Sequence, residues 1–167
     1  MNDRIVVLEV SGLEALHLAG IVGQFRDLIV DAGREDDPAV LRLLPDAYPD
    51  DDDASREFRR LTGADMLERR ADDARTVLDT LGMDGGELDP ASDPDTTITV
   101  ALGATEARAW MRTLSAIRLV LATRLGIQDQ DEHRPDDARF EIYEWVGYRL
   151  EGLVAALDRN LEDPPRR

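Results

Sequence analysis

Two histidines, a run of four aspartates and an arginine set among leucines are the residues of this chain with chemistry to offer. His17 sits beside the apolar stripe of a helix, where a histidine is more simply read as packed or part-exposed than as a ligand. His133 lies in "DQDEHRPDD", and aspartates beside a histidine can hold a divalent cation. The loop does not have the EF-hand pattern. Counting from Asp129, the sixth position is Arg134 where glycine belongs, and the twelfth is Phe140 where glutamate belongs. A solvated acidic loop is the simpler reading. Asp50 to Asp53 are consecutive, so their carboxylates diverge, whereas an ion site needs converging oxygens. At a helix entry the same residues cap backbone N–H groups and suit the positive end of the helix. No catalytic residue, metal or cofactor is expected from these groups.

The motif search points the same way. "GMDGGELD" has neither the GxGxxG nor the GxxxxGK[ST] spacing of a phosphate loop. GxSxG and HExxH are absent. Cysteine is absent too, which removes thiol catalysis, disulfides and zinc–thiolate sites together. The enzyme that remains conceivable is a carboxylate- or metal-dependent hydrolase of unknown substrate, assembled from separate helices. It is kept as the alternative.

Two features carry more weight. Arg118 falls between Leu114 and Leu121, inside the apolar stripe of its helix. Either it is a buried polar group that needs a partner, or its stem lies on the core and its head reaches water. The last helix has a second aromatic face, with Trp145 and Tyr148 opposite Tyr143, Val146 and Leu150. That helix is either covered on both sides, or Trp145 and Tyr148 are anchors of a partner contact. Arg56, Arg59 and Arg60, with Arg69 and Arg70, are the dense cationic candidates for partner contact. A solvated face with acids nearby is the simpler account of them.

The elements that must position these residues are mostly helices. "RIVVLEV" (Arg4 to Val10) reads as a strand. Ser11-x-x-Glu14 is a capping box that starts a helix over about 12–30, with Leu18, Ile21, Val22, Phe25, Leu28 and Ile29 on one stripe and Gly33 as the stop. Asp37-Pro38 starts a short helix. A phase break at Thr62-Gly63 predicts two helices, near 53–61 and 63–81, the second carrying Ala64, Leu67, Ala71, Ala74, Leu78 and Leu81. Residues 82–95 read as a loop, and "TTITVAL" (96–102) as a second strand that pairs antiparallel with the first. A helix over 104–125 buries Ala107, Trp110, Met111, Leu114, Ile117, Leu121 and Leu125 and stops at Gly126. The last helix, about 137–161, buries Tyr143, Val146, Leu150, Val154 and Leu157. The fold class is therefore mainly α (α+β): five or six helices and a two-stranded antiparallel sheet in one domain, 1–161, with a charged tail, 162–167.

The net charge of −16 is unevenly placed. Residues 36–53, 82–95 and 126–137 together hold −15 of it, and all 20 basic residues are arginine. This is a near-neutral body with three acidic connections. Such a surface disfavours direct nucleic-acid contact, which needs clustered cations. It suits protein contact, or association with a basic partner. No apolar run approaches the ~20 residues that span a bilayer, and no signal peptide is read, so a cytoplasmic location is expected.

Three phrases, "LLPDAYPDDDDASREFRRLT", "WMRTLSAIRLVLATRLGI" and "YEWVGYRLEGLVAAL", resemble blocks of an actinobacterial family long catalogued as a domain of unknown function and now described as oxidative-stress transcriptional regulators. The resemblance covers most of the chain. It implies a non-enzymatic regulator in an actinobacterial cytoplasm, acting through partner proteins such as an alternative sigma factor or another transcription component. Neighbouring genes in that family suggest, more weakly, an accessory role in Clp proteolysis. The family's redox switch is a cysteine pair, and this chain has none. A homodimer is compatible with the aromatic face of the last helix.

Overall fold

The computed structural model describes residues 4–31, 37–82, 95–127 and 137–162. Its order is β1 (Arg4–Ser11), α1 (Gly12–Asp31), α2 (Pro38–Leu41), α3 (Asp52–Thr80), β2 (Thr97–Gly103), α4 (Ala104–Leu125) and α5 (Ala138–Glu162). Among the described residues, five helices and one antiparallel strand pair make the fold mainly α with a small sheet.

The strands pair with Val7 opposite Ala101 and Val10 opposite Ile98. Two strands alone do not persist in water. Here Val6, Val10, Val100 and Leu102 are buried beneath the sheet, and this burial anchors it to the helices. Each strand runs straight into a helix through the same kind of junction. The Ser11 N–H donates to Glu14 (2.9 Å), while the Glu14 N–H donates to the Ser11 hydroxyl (3.2 Å). At the second junction the Gly103 N–H donates to Glu106 (2.7 Å). Both glutamates lie in the first turn, where they satisfy orphan donors and complement the helix dipole.

α4 is the central helix. Ala107, Trp110, Leu114, Ile117 and Val120 are buried on one side, with Ala109, Thr113, Ala116 and Ala122 buried around them. Trp110 is 2% exposed and its indole N–H donates to the Thr80 hydroxyl (2.8 Å). Burying a ring of that size contributes on the order of 5 kcal/mol of transfer free energy. Gly126 ends α4 at φ 67°, a left-handed position that glycine adopts without strain.

Two sequence expectations change. α3 is one unbroken helix of 29 residues, not two. Thr62 does not cap a new helix; its hydroxyl donates to the Phe58 carbonyl one turn back (2.8 Å). Gly63 is buried within the helix, and a Cβ there would meet the Leu44 side chain at 3.4 Å, an ordinary contact. On α5 the core position is Leu153, 1% exposed, while Val154 is 41% exposed. The expected stop at Gly33, most of the loops 82–95 and 126–137, His133 and most of the tail lie outside the described residues.

The aspartate run is resolved into separate tasks. Asp51 is the N-cap of α3, accepting from the Ala54 N–H (2.9 Å), with Asp52 and Asp53 in the first turn. Ser55, 1% exposed, holds the preceding turn by accepting from the Tyr48 N–H (3.1 Å) and donating to the Tyr48 carbonyl (2.8 Å). Tyr48 packs edge-on against Phe58 at 6.3 Å.

Candidate interaction site

α1 carries two stripes. Ala15, Leu18, Ala19, Val22, Phe25 and Ile29 are buried in the core. Leu16, His17, Gly20, Ile21 and Gln24 form a second stripe that faces outward. No Asp, Glu or Arg occurs between Glu14 and Arg26, so this outer face is uncharged in a chain that is 34% charged. Leu13 and Leu16 are 47% and 37% exposed.

α5 supplies the opposing wall. Asp137 starts it, accepting from the Arg139 N–H (2.9 Å). Tyr143, Val146 and Leu153 then face the core, which turns Glu141, Ile142 and Trp145 toward α1. The two helices are tied by an ion pair between Arg149 and Glu14. Beyond that tie they leave a groove of about 470 Å³ between them. Gly20 deepens it, since a Cβ there would meet nothing within 4 Å. Trp145 is half-buried in the wall. The groove is mostly apolar with a few polar groups at its edge (His17, Gln24, Glu141), the make-up of a surface that another side chain or helix fills.

The other candidate residues are placed elsewhere. Tyr148 is 69% exposed and lies outside the groove, beside a second concavity between β1 and α5, with the Arg149 guanidinium 5.9 Å from its ring. Trp145 thus lines the groove and Tyr148 the second concavity. Arg56, Arg59 and Arg60 each pair within the chain, with Asp53, Asp46 (3.2 Å) and Glu57 (2.7 Å). Arg70 donates to the Leu43 carbonyl (2.9 Å). Burial holds the Arg70 guanidinium below its ordinary pKa and pushes the nearby Asp73 carboxyl up, although Arg112 pairs with that carboxyl at 3.1 Å.

Arg118 takes a position between the two sequence readings. Its guanidinium lies 4.6 Å from the Tyr143 ring centre and across the helix face at Gly147. Its Nε is covered and has no acceptor among the described residues. Gly147 is what makes room: a Cβ there would stand 3.0 Å from that Nε. The α1 half of the groove was not found from the sequence. Its signal was the charge-free run from Ala15 to Phe25, which core periodicity alone does not require.

No three His, Asp or Glu side chains converge on a common point among the described residues. No described helix is long and apolar enough to cross a membrane.

Comparison with known proteins places the chain. The family described as "Domain of unknown function (DUF2017)" matches residues 1–157. The chain belongs to this family. It is 30% identical over 144 residues to proteins named "Oxidative stress regulator AosR" from Mycobacterium bovis and from Mycobacterium tuberculosis strain H37Rv. Each alignment covers 75% of this chain and 61% of the relative, so the chain spans about three fifths of the length of those relatives. No solved structure matches.

Proposed function

We propose that this protein is a non-enzymatic regulator in the response to oxidative stress, acting on transcription through a protein partner that docks in the α1–α5 groove. The observation that carries this reading is the groove itself: an uncharged outer face on α1, opened at Gly20 and walled by Trp145. The printed names of the family relatives support the stress-regulatory part. A part-buried tryptophan lining an apolar groove is the kind of residue that dominates binding energy at protein interfaces. The net charge of −16 favours a partner helix with a basic flank. A sigma factor or another transcription component is the partner class that the family resemblance suggests.

The test is complementation of a deletion strain. Wild-type protein is expected to restore the transcript profile after peroxide. Trp145→Ala is expected to fail under conditions where it is still folded, although with a lowered unfolding midpoint because the side chain also packs against the core. Full restoration by Trp145→Ala would overturn the assignment of the groove.

A further inference from the structure

The second concavity, between β1 and α5, is narrower and reaches deeper than the groove. Its volume is about 160 Å³. Its inner wall is Leu18, Trp110, Leu114 and Leu153, each 2% exposed or less. Because the Trp110 N–H is already held by Thr80, the wall it presents adds no unmet donor. A dry apolar cavity of about 150 Å³ holds one benzene molecule, so this one fits a phenyl ring or a chain of five or six carbons.

The mouth has different chemistry. Arg149 and Arg159 line it, with Glu9 as the acid. One Arg149 Nη is committed to Glu14, and its Nε has no acceptor among the described residues. Burial also holds this guanidinium below its ordinary pKa, as expected for a cation with too few partners. The Nε is sealed from solvent, so it is the remaining Nη N–H groups of this cavity-lining arginine that would receive a carboxylate. A second carboxylate on the same ligand would meet hydrocarbon or Glu9. We infer that the cavity between β1 and α5 binds a small monocarboxylate with an apolar body, of the size of hexanoate or phenylacetate. Such a ligand would share Arg149 with Glu14 and so weaken the tie that borders the α1–α5 groove. That link to partner binding rests on the function proposed above; the binding itself does not.

The experiment uses the whole isolated chain and needs no partner. The indole N–H resonances of Trp110 and Trp145 are followed by NMR, with Trp145→Phe to assign them. Hexanoate and phenylacetate are expected to shift the Trp110 resonance saturably with a midpoint below about 1 mM, and to leave Trp145 in place. Hexanol, with the same body and no charge, should bind about tenfold more weakly, and Arg149→Met should abolish that difference. Gly152→Leu tests the cavity without disturbing the ion pair. Gly152 lines it, a Cβ there meets nothing within 4 Å, and leucine is the better helix former, so the variant should fold with the mouth closed and bind neither acid. No saturable shift with either acid, equal binding of hexanol, or undiminished binding by Gly152→Leu would each overturn the inference.

Discussion

Gly147→Ala is the substitution whose outcome the packing of α4 on α5 decides most sharply. In a helix interior the change should stabilise by about 0.8–1.0 kcal/mol, because glycine loses more backbone freedom than alanine. The new methyl would stand 3.0, 3.1 and 3.2 Å from Nε, Cζ and Nη2 of Arg118. Those contacts are tighter than a methyl ordinarily makes, so the guanidinium must give by a few tenths of an ångström, which weakens its cation–π contact with Tyr143, worth about 0.5–2 kcal/mol in full. The single variant is therefore expected to gain less than the full helix term, or to lose up to about 1 kcal/mol. In an Arg118→Ala background the obstruction is gone and the full gain should appear. Urea unfolding of the four proteins of this double-mutant cycle, at unchanged m, should give a coupling of up to about 2 kcal/mol. If Gly147→Ala stabilises both backgrounds equally, the glycine is not there for the arginine, and the reasoning fails.

Ser55→Ala removes both hydrogen bonds between Ser55 and the Tyr48 backbone and should cost about 1–3 kcal/mol, read as a lower urea midpoint with faster exchange of the Tyr48 amide. An unchanged midpoint would mean that the turn is held by Tyr48–Phe58 and Asp46–Arg59 alone. Asp37 gives the pH test. Burial alone would raise its carboxyl, but the Ala39 N–H and the Arg124 guanidinium outweigh burial and hold it below its ordinary value. A lowered folded pKa contributes stability that is present above the ordinary aspartate value of about 3.9 and is lost as pH falls through the folded value. Asp37→Asn should therefore lose stability relative to wild type at neutral pH, and the gap should close as pH falls below about 4. A gap constant down to the acid limb would contradict this.

What could be read from the sequence was local, and the misses were tertiary. The Ser11–Glu14 box, the Asp37-Pro38 start and the Gly126 stop are encoded within a few residues, and the structure has all three. The unbroken α3 was missed because Thr62 and Gly63 look like a break, whereas Thr62 bonds back to Phe58 and Gly63 is buried inside the continuous helix. Arg118 was conspicuous among leucines, yet its companion Gly147 was not, because a notch becomes visible only when two helices meet. The groove combines two outer stripes from opposite ends of the chain. Neither stripe differs from a core stripe until the fold shows which one is already covered.

Glu14 links these observations physically. It accepts from the Ser11 N–H at the start of α1 and pairs with Arg149 of α5. One carboxylate thus sets both the first turn of α1 and the tie at one end of the groove. α5 supplies Trp145 to the groove and Gly152 to the cavity, with Arg149 between them in sequence. On the inference above, a carboxylate bound at Arg149 would share the guanidinium with Glu14 and weaken the inter-helix tie while the Ser11 cap stays intact. In a chain without cysteine, such a ligand would reach the edge of the α1–α5 groove without thiol chemistry.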